Sequence, residues 1–170
     1  MNKIIILSLV FVSASLTKAK CEEPYKGYKG HVDIVLGDAY NFNTAQTIST
    51  NNMQLYMMVS TTHGYEVNYW FVGVGVGYYH SFRDNENMFP IYAAGRYTFG
   101  NIKLNPYIET RAGVIYDPLW IRRVQAYGTL GAGMNVYKKL QIGLRLSIFS
   151  RPSRFFTANA AVVVSYAFGK

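Results

Sequence analysis

The period of the hydrophobic pattern constrains this chain more than any other feature. Between Tyr28 and Phe168, apolar residues recur at every second position in eight separate segments. That is the strand period, because successive side chains on a strand point to opposite faces. The first segment sets Tyr28, Val32, Ile34 and Leu36 against Lys29, His31, Asp33 and Gly37. The third sets Trp70, Val72, Val74, Val76 and Tyr78 against Gly73, Gly75 and Gly77. The fifth sets Ile108, Ala112, Val114 and Tyr116 against Glu109, Arg111 and Gly113. The seventh sets Leu140, Ile142, Leu144, Leu146 and Ile148 against Gln141, Gly143, Arg145 and Ser147. The second, fourth, sixth and eighth repeat the theme, the fourth placing Arg96 on its polar face.

Each segment is about ten residues, the length of a tilted membrane-crossing strand. Eight is an even number, as a closed up-and-down barrel built from one chain requires. The odd-numbered connectors, such as 40–52 and 80–88, are the longer ones, and 64–69 and 137–139 are short. The expected fold is therefore all-β: an eight-stranded antiparallel up-and-down transmembrane β-barrel over residues 20–170.

Alternation alone does not say which face is outside, since a lipocalin-like barrel would turn its apolar face inward. Three features favour an apolar exterior in lipid. Charges within the segments fall on the polar face. Aromatic residues (Tyr28, Trp70, Tyr78, Phe89, Phe99, Tyr116, Phe168) sit at the ends of the apolar face, as in an interfacial girdle. Glycine crowds the polar face, and an eight-stranded interior is only wide enough for side chains. Asp33 and Glu109 are then expected to pair in the lumen with Lys29, Arg96, Arg111 and Arg145, because an unpaired buried charge is very costly. The interior should be plugged and not a pore.

The start of the chain is expected to be removed. Lys3, the apolar stretch 4–12 and the small residues Thr17 and Ala19 form a secretory signal peptide over residues 1–19. The apolar stretch is about half the ~20 residues of a spanning helix. Lys20 precedes Cys21 where a lipidated cysteine wants a small residue, so Cys21 reads as a free thiol. Without Lys3 and Lys18, fifteen basic residues face nine acidic ones, a net charge of +6. Such a balance suits nucleic acid, but export directs it instead to anionic lipid or lipopolysaccharide phosphate. At 50% hydrophobic and 15% charged residues, the chain is too apolar for disorder.

The stretch Ser60-Thr61-Thr62-His63-Gly64-Tyr65, the run from Tyr69 to Gly77, and Pro90-Ile91-Tyr92 with Arg96-Tyr97 resemble a known family. It is the family of small outer-membrane β-barrel domain proteins of Gram-negative bacteria, of OmpA-transmembrane or OmpX-like architecture. The resemblance covers most of residues 26–168. It implies the bacterial outer membrane as location. The alternation from Phe156 to Phe168 fits the terminal-strand signal that the barrel-assembly machinery reads, although Gly169 and Lys170 follow where the family usually ends on the aromatic residue.

The resemblance implies a fold better than an activity. Some eight-stranded barrels of this kind are lipid A enzymes that use His, Ser and Glu. Here His80-Ser81, with Asp84 and Glu86 nearby, is the candidate, but neighbours on a strand face opposite ways. His63 reads as a turn residue. Three separated His and one Cys offer no metal-ligand spacing, and GVGVG lacks the spacing of a nucleotide loop. No cofactor is expected. Arg122, Arg123, Arg151 and Arg154 lie in the third and fourth external loops, where they form a basic rim or contact lipopolysaccharide phosphates. The expected role is non-enzymatic, structural or in surface interaction, with a lipid A-modifying enzyme and a narrow channel as alternatives.

Overall fold

The computed structural model describes residues 25–42, 54–83, 85–100, 104–118, 123–137, 139–151 and 154–169. The leader over 1–19 and Cys21 lie outside the described residues. The strands are β1 (Tyr25–Phe42), β2 (Gln54–Asn68), β3 (Trp70–Ser81), β4 (Glu86–Thr98), β5 (Pro106–Asp117), β6 (Arg123–Tyr137), β7 (Leu140–Arg151) and β8 (Arg154–Phe168). Each pairs antiparallel with its sequence neighbour, and β8 pairs with β1, so the sheet closes on itself. Closure satisfies every edge, which an open sheet in lipid could not do. We call the end where Tyr25 enters and Phe168 leaves the proximal end, and the other the distal end.

The strands run longer than the ten-residue segments suggest, from 12 residues in β3 to 18 in β1. Ladder pairing continues past the apolar band into polar residues. The expected connector 64–69 is largely strand. Val67 pairs with Trp70, leaving a two-residue hairpin at Asn68 and Tyr69. Asn68 takes a left-handed φ of 57°, which Asn tolerates and such hairpins require. The stretch 80–88 likewise becomes the end of β3 and the start of β4. The contrast in connector length narrows accordingly: residues 82–85 bridge strands distally, while 99–105 do so proximally.

The barrel is inverted relative to a soluble one. Val72, Val74, Leu130 and Leu144 on the outward face are each 66% exposed. Tyr28, Trp70, Tyr78, Phe89, Phe99 and Tyr116 are exposed toward the strand ends, in the expected girdle. The inward face is buried, but it is not uniformly polar. Charged side chains occupy mainly its proximal and middle parts, while Ser81 and Thr157 are buried distally. Toward the distal end, Tyr56, Met58, Tyr79, Met88, Ile115 and Phe149 form an apolar, aromatic layer. The Tyr56 and Tyr79 rings stack at 4.8 Å.

Glycine on β3 makes room for this filling. A Cβ on Gly75 would sit 2.6 Å from the ring of Tyr92, its ladder partner on the neighbouring strand β4. Gly75→Val should therefore overpack the interior and lower stability by about 1–3 kcal/mol. Urea titration of the refolded barrel in lipid vesicles measures this, and an unchanged midpoint would show that the ring moves aside at no cost.

Candidate functional site

The interior gathers charged residues from four strands at one level. Asp33 comes from β1, Arg96 from β4, Glu109 and Arg111 from β5, and Arg145 from β7. All five are at most 6% exposed. Inward parity on each strand aims them at the axis, and β3 offers only glycine beside them.

Glu109 is the hub. Its carboxylate accepts from Arg96 Nη2 at 2.6 Å, from Arg145 Nη2 at 2.6 Å and from Arg111 Nη2 at 3.1 Å. Asp33 accepts from Arg145 Nη2 at 3.0 Å and pairs with Arg111 across the barrel. Ser165 and Ser60 also donate to Asp33. Arg111 Nη1 donates to the Tyr92 hydroxyl at 2.7 Å, and its guanidinium lies 4.7 Å above the Tyr92 ring centre. Arg96 lies 4.3 Å over the Tyr107 ring and donates to Gln141 Oε1 at 2.5 Å. Three guanidinium groups thus surround two carboxylates, and hydroxyl, amide and ring partners accommodate the surplus positive charge.

Arg96 Nη1 also donates to His31 Nδ1 at 3.1 Å. Arg has no acceptor, so Nδ1 must be the acceptor and Nε2 must carry the proton. His31 is 1% exposed and packs edge-on against Phe71 at 4.9 Å.

Lys29 is not part of this network. It pairs with Glu66 at 2.8 Å, near the proximal end. Glu66 was hidden from the sequence reading because it fell in an expected turn. Continuing the inward parity of β2 from Ser60 and Thr62 would have found it.

The histidine candidates separate clearly. His80 points outward and shares a hydrogen bond with Asn87 Oδ1 at 2.8 Å, beside Tyr78. Ser81 points inward and is fully buried, so the strand carries through both residues and keeps them apart. Glu86 begins β4, and Asp84 lies outside the described residues. His63 is no turn residue. It sits in β2 on the outward face, with Nε2 3.0 Å from Thr61 Oγ1 and Nδ1 2.5 Å from the Tyr28 hydroxyl. No group of three or more His, Cys, Asp or Glu fit for a metal ion occurs among the described residues.

Of the four rim arginines, Arg122 lies outside the described residues. Arg123 opens β6 opposite Asp117, and Arg151 and Arg154 face each other across the β7–β8 ladder. These three are strand-terminal and not loop residues; their side chains are outside the description.

The charge network makes a testable distinction. Glu109→Gln leaves three buried guanidinium groups short of a carboxylate and should cost about 3–5 kcal/mol. Lys29→Met breaks a pair whose lysine side chain is 18% exposed, and should cost about 1 kcal/mol or less. Equilibrium unfolding of both variants in the same vesicles would compare them; equal losses would contradict the central role of Glu109.

No protein-family model matches the chain, and no curated protein sequence does. Solved structures do match its fold. A de novo designed transmembrane β-barrel aligns with 86% of this chain and 100% of its own, at 18% identity and a TM-score of 0.55. The outer membrane enzyme PagL aligns over 80% of this chain and 98% of its own, at 12% identity and a TM-score of 0.61. Neisserial surface protein A aligns over 84% and 97%, at 14% identity and a TM-score of 0.55. These likenesses establish the fold as the eight-stranded barrel found in outer-membrane proteins.

Proposed function

We propose that this chain is an integral outer-membrane barrel with a closed interior and a non-enzymatic structural or surface-interaction role in the bacterial envelope. The observation that carries the reading is the filled lumen beneath an apolar exterior. Arg111, Tyr56, Phe71, Phe149 and Met88 are each less than 2% exposed within it. An ion moving along the axis would have to separate Glu109 from its guanidinium partners and then cross the Tyr56–Tyr79 layer. Contact with partners is left to the distal rim, where Arg122, Arg123, Arg151 and Arg154 cluster in sequence near the strand ends. Their guanidinium groups suit lipopolysaccharide phosphates, which accept bidentate bonds.

Two measurements test this reading. Planar-bilayer recording of the purified protein should give no steady single-channel current, and large stable currents would contradict a closed interior. Replacing the four rim arginines with Gln should reduce lipopolysaccharide co-purification several-fold, and unchanged co-purification would remove the phosphate contact.

A second reading, a lipid-modifying enzyme, draws on one observation. Thr61, His63 and Tyr28 form a hydrogen-bonded chain on the exterior, with a hydroxyl at one imidazole nitrogen and an orienting group at the other. That is the order of a nucleophile, base and orienter, although a phenol stands where an acid usually does. The likeness of fold to PagL adds a precedent for an enzyme on such a barrel. Mass spectrometry of lipid A from cells with and without the protein separates the readings. An unchanged acylation profile supports the structural role; a shift abolished by His63→Ala supports the enzyme.

A further inference from the structure

The charges in the central cluster do not balance. Arg96, Arg111 and Arg145 bring three positive charges to the lumen, and Asp33 and Glu109 bring two negative ones. His31 is neutral, because its Nδ1 accepts from Arg96. The Lys29–Glu66 pair near the proximal end is balanced in itself. One positive charge is left over inside the barrel, and a buried charge without a counter-ion is very costly. The Tyr92 hydroxyl and the Gln141 amide oxygen accept from these guanidinium groups, but they carry no charge to offset it.

The leftover charge coincides with a shortage of acceptors. Arg145 Nη1 and Arg111 Nε are buried donors that meet no acceptor. The Thr129 hydroxyl is buried and unpaired as well. The Tyr56 hydroxyl, beside Ser147, makes no hydrogen bond of normal geometry. The Tyr127 hydroxyl finds only Met58 Sδ at 3.9 Å, a weak acceptor. Register brings these groups together around Ser147. Thr129 is its ladder partner on β6, Arg111 is in turn the ladder partner of Thr129 on β5, and Arg145 lies two residues away on β7. One row of the interior wall runs Arg145, Ala161, Gly37 and Tyr56 across β7, β8, β1 and β2. Its two middle residues carry at most a methyl group, and a Cβ on Gly37 would sit 2.5 Å from Ala161 Cβ. The low wall lets the Tyr56 side chain lie across it toward β7. Asn159 Oδ1, on the other side of Ser147, is an unpaired acceptor, but a neutral amide leaves the surplus charge in place.

We propose that these donors hold a buried monovalent anion of the size of chloride. The ion sits against Ser147, accepts from Arg145 Nη1 and accepts from the Tyr56 and Thr129 hydroxyls. Arg111, the ladder partner of Thr129, adds its charge to the field. The balance then closes, with three guanidinium groups against two carboxylates and one anion. A halide suits such a site because it accepts from several directions at once and needs no donor of its own in return. A doubly charged oxyanion would exceed the surplus and take more space. The charge cluster on the proximal side and the Tyr56–Tyr79 layer on the distal side enclose the ion. It is therefore a structural counter-ion captured when the barrel closes, and not an ion in transit.

The test refolds the whole barrel in detergent micelles with sodium bromide, removes free salt on a desalting column and measures retained bromine by X-ray fluorescence. The wild type should retain bromide in an amount equimolar with the protein. Tyr56→Phe combined with Thr129→Val removes two donors at nearly constant volume and should lower retention about tenfold. Heat-modifiable gel migration checks that the double variant still closes. In parallel, the urea midpoint of the wild type should be higher in chloride than in gluconate at equal ionic strength, and the gap should vanish in the double variant. Absence of retained bromide would overturn the proposal, as would equal retention by the double variant or equal midpoints in the two salts. Retention that disappears instead when Arg123, Arg151 and Arg154 are replaced with Gln assigns the ion to the rim and refutes the buried site.

Discussion

The structure depends on a buried cluster in which two carboxylates must satisfy three guanidinium groups with no bulk water. Asp33 and Arg111 sit on β1 and β5, four strands apart, and their contact spans the lumen. Arg96 and Arg145 enter from β4 and β7 and meet on Glu109. An incomplete cluster would strand a buried charge, and such a loss is larger than what the intact pairs contribute. The cluster therefore acts mainly as a condition on closure: the strands must arrive in one register for every charge to find its partner. Glycine on β3 serves the same end, since a longer side chain at Gly75 would take the space of Tyr92, which in turn orients Arg111.

The interior is graded along its axis. Charges are concentrated in the middle and proximal parts, and aromatic and sulfur-containing side chains close the distal part. The two layers meet at Tyr92 and Tyr127, whose rings lie 6.0 Å apart. Tyr92 spends its hydroxyl on Arg111 and Thr62 and its ring on the aromatic layer. The outer wall is where the polar exceptions stand out: His63 with Tyr28 and Thr61, His80 with Asn87, and Asp38. The first two settle their polar atoms with neighbouring side chains in the same girdle. Asp38 finds no such neighbour among the described residues, and a small residue beside it opens the wall.

Most of the fold was legible because a barrel in lipid writes its two faces directly into residue parity. A slip of one residue would move a whole strand to the wrong face, so the alternation carries inward and outward assignments with little ambiguity. The errors cluster at strand ends. Glu66, His63 and Arg123 all lie where a strand outruns its apolar band, and parity read only from apolar residues stops too early there. The interior aromatic layer was missed for a related reason. Met58, Tyr79 and Phe149 occupy inward positions, and a scheme that equates inward with polar passes over them.

By itself the sequence determined the number of strands and their facing, because both follow from a period of two along one strand. Pairing between charges was decided only in three dimensions. Lys29 and Asp33 lie on the same strand with the same parity, yet Lys29 meets Glu66 and Asp33 meets Arg111 and Arg145. Which cation meets which anion depends on the stagger of strands around the closed sheet, and no single segment encodes that stagger. The relief of the outer wall at Ala160 is likewise a property of three adjacent strands. Ala160 is unremarkable in its own segment and becomes a trough only when Leu146 and Asp38 are brought to either side of it.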